Sequence, residues 1–408
     1  MNQAKIVILG GGMVAGYAAK QMVELGLRSG ELAILSADSA VPYERPPLSK
    51  SFLAGKDSED AIKISPESFY KQHGIELRLS CEVSALDVKR KRLILKGGDE
   101  FGFQKLIIAT GARPRTLNIA GSQLHNVFYL RTLNDSKRIR EAAEKAKHAI
   151  VIGGGFIGME VTAVLAQKAI EVTMVLNDDR IWKRLFTPET SSFFEGYYTT
   201  RGVRIQKSSA VRELQGDATV RSAVLSDGQT ISCDLVLAGI GVEPAIDLAS
   251  NGGLEVGDGI LVNEYLQTTN SDIFAAGDVA NYQDIVFGKR RRVEHWDNAV
   301  SQGQHCARSL MGDATPFKHV PYFFSDVFDL SYEYWGDLSG ADQIIHRGDF
   351  SNKSFSVWWL RQKTVVAVFT MNRPEEERDA APKWIESRRT VSAGKLEDAS
   401  QSISTALE

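Results

Sequence analysis

Cysteine is scarce in this chain: Cys81, Cys233 and Cys306 are the only three in 408 residues, and no two of them form a C-x-x-C pair. That excludes a disulfide framework and a dithiol reductase centre, and the spacing fits buried thiols in a reducing compartment with no metal role. Long apolar runs are missing too; none approaches the roughly 20 residues that a membrane-spanning helix needs. Neither sign of charge dominates. The 48 basic and 51 acidic residues leave a formal charge of −3, so the chain as a whole gives no reason to expect nucleic acid or an anionic membrane as a partner. A first strand beginning at Lys5 leaves no room for a leader ahead of it, and a cytoplasmic protein is expected. At this length, with 43% hydrophobic residues, two or three domains are expected.

Glycine is plentiful in two places. Ile6 to Ala19 reads IVILGGGMVAGYAA, an apolar parallel strand turning tightly into a helix whose start carries no bulky side chain. Such a turn presents backbone N–H groups and a positive dipole end to a pyrophosphate. Gly10 and Gly12 fit G-x-G, while Met13 and Val14 lead to Ala15, where the strict fingerprint has its third glycine, and Gly16 follows. A second copy, Ala149 to Glu160, reads AIVIGGGFIGME, and there Gly153, Gly155 and Gly158 match G-x-G-x-x-G in full. Two loops of this kind imply two dinucleotides.

Carboxylates follow each loop at the distance where a ribose is held. Asp38 ends the strand Glu31–Leu35, 28 residues after Gly10, and has a plain alternative as a turn residue; Asp178 follows Val172–Leu176, 25 residues after Gly153. A carboxylate about 4 Å from a 2′-phosphate costs ~1 kcal/mol in water and ~4 kcal/mol at an effective dielectric of 20, so Asp178 favours NADH over NADPH. Arg180, Lys183 and Arg184 oppose it. Three further strand ends offer close backbone approach or a carboxylate: Ala109, Thr110 and Gly111 after KLII; Gly241 in GIGVEP; and Gly277 with Asp278 in IFAAGDVA. Ile75 to Leu95 reads as a small antiparallel insertion. Glu294, His295 and Trp296 open a helix running to about Met311 and including Ala299. A helix start can steady a nearby anion by up to ~2 kcal/mol. From His319 onward alternating aromatic and aliphatic residues give a sheet-rich third region, closed by a charged helix and a polar tail after Lys395.

With these motifs in order, the chain resembles, over essentially its full length, the two-dinucleotide flavoprotein oxidoreductases. Within them it is similar to the branch of ferredoxin and putidaredoxin reductases, apoptosis-inducing factor and monodehydroascorbate reductase. YERPPLSK (Tyr43 to Lys50) is characteristic of that branch, and RLFT, EGYY, RRVEH and FDLSYEYWGD look most like monodehydroascorbate reductase. The resemblance implies an α/β fold of two Rossmann-like, glutathione reductase-like domains plus a C-terminal α+β domain. The expected boundaries are FAD at 1–112 and 245–318, NAD(P)H at 113–244 and an interface domain at 319–408. It implies FAD on Gly10 to Gly16 and Asp38, with contacts from Arg45, Lys50, the backbone of Val83, Arg131, Asp278 and Trp296. NADH is implied around Gly155, Ile157, Gly158, Asp178 and Gly241, and Lys50 with Glu160 as the ion pair beside flavin and nicotinamide.

Departures from monodehydroascorbate reductase fall where an anionic radical would be held. Val300, Phe324 and Asp326 stand near the positions of an arginine, a tyrosine and a second arginine. Charge-assisted hydrogen bonds contribute about 1.5 to 3 kcal/mol each, so losing two or three weakens such a site by orders of magnitude. Phe324-Ser325-Asp326 instead resembles the aromatic-Ser-Asp of ferredoxin reductases, whose ring covers the flavin face. The expected activity is therefore that of an FAD-dependent NAD(P)H oxidoreductase serving a [2Fe-2S] ferredoxin, with the basic run Lys289 to Arg292 as a docking patch. Two alternatives stay open: a small-molecule acceptor such as monodehydroascorbate or a quinone, and a redox-sensing interaction protein resembling apoptosis-inducing factor, in which self-association into a homodimer carries the signal.

Overall fold

The apolar run after Lys5 forms the strand Asn2–Leu9, whose last four residues are buried. It lies inside a seven-stranded sheet in the order Glu76–Arg78, Leu32–Leu35, Asn2–Leu9, Glu100–Ile108, Arg92–Leu95, Val83–Asp87, with Ile273–Ala275 also paired to Glu100–Ile108. Continuous apolar runs are what a parallel sheet covered on both faces requires. The computed structural model describes residues 2–313 and 315–408 and divides into two compact units. This sheet belongs to the first, made of Met1–Arg45, Glu59–Arg113 and Glu243–Phe323.

Register in the first unit sets Leu9 beside both Leu35 and Ile108, and Ala275 beside Ile108. Gly10, Ser36, Ala109 and Ala276 therefore leave the sheet along one carboxyl edge, where open α/β folds bind ligands. Helix Met13–Glu24 follows the glycine turn and packs on helix Trp296–Leu310. Gly303 permits that approach, since a Cβ there would lie 2.8 Å from the Val14 carbonyl oxygen. The segment expected to be a wholly antiparallel insertion is split. Glu76–Arg78 joins the edge of the main sheet in parallel, and only Val83–Asp87 and Arg92–Leu95 form the antiparallel hairpin. The alternation in both pieces is the same, and pairing partners distant in sequence decide between them.

The second unit comprises Pro46–Ser58, Pro114–Val242 and Phe324–Glu408. Its parallel sheet runs Arg204–Gln206, Glu171–Val175, His148–Ile152, Leu235–Ala238, Val127–Phe128. Ile152 is in register with Val175 and Ala238, so Gly153, Leu176 and Gly239 share an edge. The C-terminal region is a five-stranded sheet, Tyr322–Val327, Leu330–Gly336, Thr364–Met371, Ser354–Arg361, Gln343–Asp349, covered by helix Glu375–Glu386. The tail after Lys395, polar in composition, is anchored: Leu396, Ile403 and Ala406 are buried. Buried Arg347 donates to the carbonyls of Leu396 (3.0 Å), Asp398 and Gln401, and pairs with Glu377 at 2.7 Å. Three buried apolar side chains among serines give too faint a period to read from sequence.

Candidate functional site

In the first unit Gly10 has φ +122°, and a Cβ there would come within 2.2 Å of the Ala109 carbonyl oxygen, so only glycine fits. Gly12 caps helix Met13–Glu24 without any side-chain hydrogen bond, and the first turn holds no acid. The nearest atom to a Cβ on Gly12 would be Arg45 Nη2 at 3.7 Å. An open helix start facing a guanidinium fits a pyrophosphate. Met13, Val14 and Ala15 are buried, and Gly16 lies against Ile64.

Asp38 is occupied in its own turn, its carboxylate accepting from the Ala40 N–H at 3.1 Å and from Tyr43 Oη at 2.9 Å. Thr110 Oγ1 donates to the Ala245 carbonyl (2.9 Å), and Gly111 has φ +68°. Gly277, at φ +79°, donates its N–H to Gln302 Oε1 at 2.7 Å. Fully buried Gln302 leaves Nε2, and fully buried Asn298 leaves Oδ1, with no partner among the described residues. Arg292 Nη1 reaches the Asp278 carbonyl at 3.2 Å, and Val83 and Ala299 are buried.

Sequence reading passed over Glu44. Its carboxylate accepts from Tyr17 Oη and from Trp296 Nε1, both at 2.6 Å, and fixes the tryptophan that opens helix Trp296–Leu310. The signal was present, since Glu44 lies inside YERPPLSK. His295 precedes that tryptophan; desolvation, aided by Arg291, pushes its imidazole down to about 4, and burial does the same to His305. Glu294 is paired with Arg292 at 2.5 Å. The expected basic docking run is internally satisfied. Arg290 donates to the carbonyls of Val262 (2.9 Å) and Asn281 (2.6 Å), Arg291 pairs with buried Asp284 at 3.3 Å, and Arg292 also pairs with Asp258 at 2.9 Å. These bonds order the hairpin, while Arg290 stays exposed and its two partners are neutral carbonyls, so its positive charge is not cancelled.

In the second unit Gly153 has φ +107°, and a Cβ would lie 2.3 Å from the Gly239 carbonyl oxygen. A Cβ on Gly158 would lie 2.0 Å from the carbonyl oxygen of Gly153 itself. Gly155 caps helix Phe156–Gln167 with no side-chain bond, and Ile157 is 37% exposed on its first turn. Trp182, at φ +52°, brings Nε1 to 3.9 Å from where a Gly155 Cβ would be and packs edge-on to Phe156. Asp178 is exposed beyond its strand, its carbonyl held by the Ser208 N–H at 2.9 Å. Gly241, at φ +96°, accepts from the Arg115 N–H at 2.9 Å. This cradle fits a second dinucleotide.

Lys50, Arg131 and Phe324, expected around the flavin, belong to the second unit by chain contacts. Arg131 donates its N–H to Asp135 (3.2 Å), the residue that completes the capping box of helix Leu133–Ala143. Lys50 Nζ lies 3.3 Å from Glu160 Oε1, 3.8 Å from Asp326 Oδ2 and 4.7 Å from the centre of the Phe324 ring. Glu160 is 6% exposed and accepts also from Ser325 Oγ (2.5 Å) and Ser49 Oγ. Ser325 belongs to the aromatic-Ser-Asp motif and Ser49 to YERPPLSK, but their shared bond to Glu160 has no signal in the sequence.

Residues 4–303 match the family model described as pyridine nucleotide-disulphide oxidoreductase, and 322–407 match that described as reductase C-terminal. The chain belongs to the pyridine nucleotide-disulphide oxidoreductase family. It is an FAD-dependent NAD(P)H oxidoreductase of mixed α/β fold, and within that family it has no paired cysteines. Among curated relatives it is 37% identical to monodehydroascorbate reductase 4, peroxisomal, of Arabidopsis thaliana, covering 94% of this chain and 83% of that one. It is 34% identical to rubredoxin-NAD(+) reductase of Pseudomonas putida, covering 91% and 97%. The solved covalent putidaredoxin reductase–putidaredoxin complex aligns at 32% identity and TM-score 0.94, covering 100% of this chain and 99% of that one. The ferredoxin reductase for the CYP199A2 system from Rhodopseudomonas palustris aligns at 32% identity and TM-score 0.93, with both chains fully covered. No helix among the described residues is long and apolar enough to cross a membrane.

Proposed function

We propose that the protein carries electrons from NADH, by way of FAD, to a [2Fe-2S] ferredoxin. The observation that supports this acceptor is Asp326, whose carboxylate lies 3.8 Å from Lys50 where monodehydroascorbate reductase is expected to present a cation. A carboxylate there repels a small anionic radical, and Phe324 beside it has no hydroxyl to offer. The putidaredoxin reductase and rubredoxin-NAD(+) reductase relatives point the same way.

FAD, when bound, supplies the chemistry that converts a two-electron donor into single-electron steps. The remaining tasks fall to the chain. The domains at 1–112 with 245–318, at 113–244 and at 319–408 hold the flavin, the pyridine nucleotide and the acceptor side, in a cytoplasmic enzyme. Gly10, Gly12 and Arg45 take the flavin pyrophosphate, Asp38 its ribose, and Glu44 orients Trp296. Gly153, Gly155, Gly158 and Asp178 take NADH. Ser49 and Ser325 hold Glu160 as the anion that positions Lys50.

A second reading, reduction of monodehydroascorbate, draws on the 37% identity to the Arabidopsis enzyme. Anaerobic reduction by NADH, followed by stopped-flow mixing with a [2Fe-2S] ferredoxin, monodehydroascorbate or a quinone, separates the two. Fast reoxidation by ferredoxin and slow reoxidation by the radical are expected; the reverse order overturns the proposal.

A further inference from the structure

We infer that Asp179 is a specificity-determining residue of the second nucleotide site: by pairing with Arg180 and Lys183 it withdraws two cations from the ribose end and holds the protein to NADH over NADPH. This rests on reading the second glycine loop as the pyridine-nucleotide site.

The segment after strand Glu171–Val175 holds opposed charges, Asp178 and Asp179 against Arg180, Lys183 and Arg184. In sequence they nearly cancel. The fold breaks the tie. Asp179 Oδ1 lies 3.4 Å from Arg180 Nη1 and 3.1 Å from Lys183 Nζ, and Arg180 Nη2 donates to the Lys183 carbonyl at 3.4 Å. The arginine is thus tied into a closed loop with the lysine and the aspartate. Glu195 fixes the stretch from the side, accepting from the Ile181 N–H at 3.0 Å while pairing with Lys207 at 2.8 Å, so a third nearby cation is also engaged. Asp178 has no part in this pairing and stays exposed, its carbonyl pinned by Ser208. A 2′-phosphate would meet Asp178 directly and find Arg180 and Lys183 already bound; Arg184 alone stands outside the loop.

Exposed ion pairs are weak, so the effect is one of balance. One unit charge about 7 Å from a phosphate dianion in water amounts to about sevenfold in affinity. The test uses the FAD-loaded protein and two probes, 5′-AMP and 2′,5′-ADP, each titrated by calorimetry in competition with NAD+. In Asp179→Asn the ratio of affinities should move about sevenfold toward 2′,5′-ADP, the kcat/KM ratio should move likewise toward NADPH, and 0.5 M salt should erase most of both. Asp178→Asn should move the ratio further, and Asp179→Glu should restore it. A shift under twofold in Asp179→Asn, with a clear shift in Asp178→Asn, overturns the inference. If neither probe competes with NAD+ in the parent protein, the assignment of the site itself is wrong.

Discussion

The two glycine loops solve one steric problem with different residues. In the second, the third glycine of the motif, Gly158, faces the carbonyl oxygen of Gly153, which would lie only 2.0 Å from an added Cβ that needs well over 3 Å. In the first, that position is Ala15, fully buried with its methyl group accommodated. Close approach is taken up elsewhere, by Gly16 against the Ile64 side chain and by Gly303 on the neighbouring helix against the Val14 carbonyl. What must be small is whatever meets another backbone, and the motif position matters only where that meeting occurs.

The strongest test of this contrast is Gly158→Val. A branched side chain against a backbone carbonyl has nowhere to go, and a loss of about 4 kcal/mol is expected, near the upper end for single substitutions. Affinity for NADH, followed by fluorescence titration, should fall by at least tenfold, while the flavin absorbance band persists. Gly16→Ala makes the comparison sharp, because what an added Cβ meets is a side chain and not a backbone: the Ile64 Cδ1 at 2.6 Å, with its Cβ and Cγ2 at 3.1 Å. FAD retention should barely change.

Acid should separate the units in a second way, since both histidines held down to about 4 lie in the first. Each binds its proton less readily folded than unfolded, so the stability it contributes is complete above pH 6.5 and is lost as pH falls from 6.5 toward 4. At 1.36 kcal/mol per unit that is on the order of 3 kcal/mol for each. Hydrogen exchange across pH 7.0 to 4.5 should show the first unit loosening first, with FAD release alongside. His305→Phe should flatten the profile; equal loosening of both units would remove the distinction.

A third comparison sets two carboxylates side by side, buried Glu160 and half-buried Glu44. Glu160 faces a cation at 3.3 Å and two hydroxyl donors, whereas Glu44 receives two neutral donors, Tyr17 and Trp296. Glu160→Gln should therefore cost about 2 kcal/mol, in the range for hydrogen bonds to charged groups, against about 1 kcal/mol for Glu44→Gln. Melting temperature ranks them, and a shift in Trp296 emission should accompany only the second.

Much of this was legible because it lies in strict local chemistry. The apolar runs before Gly10 and Gly153, the second fingerprint, and the strand Leu235–Ala238 are written in consecutive residues. What escaped depends on partners far apart in the chain. Glu76–Arg78 carries the same alternation as its hairpin neighbours, and only pairing with Leu32–Leu35 makes it parallel. Arg290 to Arg292 read as a bare basic run because Val262, Asn281, Asp284 and Asp258 are brought to them by the fold. Ser49 and Ser325 meet on Glu160 from more than a hundred residues away on either side.

A small expected effect is the most discriminating. Ala15→Gly restores the strict motif to the first loop, and if motif position governed the site it should tighten FAD binding. Packing predicts otherwise. Ala15 is completely buried within helix Met13–Glu24, and no backbone demands its removal, so glycine brings only the helix-interior penalty of about 1 kcal/mol and a lost buried methyl group. Slightly faster FAD release at unchanged pyridine-nucleotide affinity is the expected result. Tighter FAD binding would show that the first loop, like the second, is limited by approach at its third position, and the contrast between them would collapse.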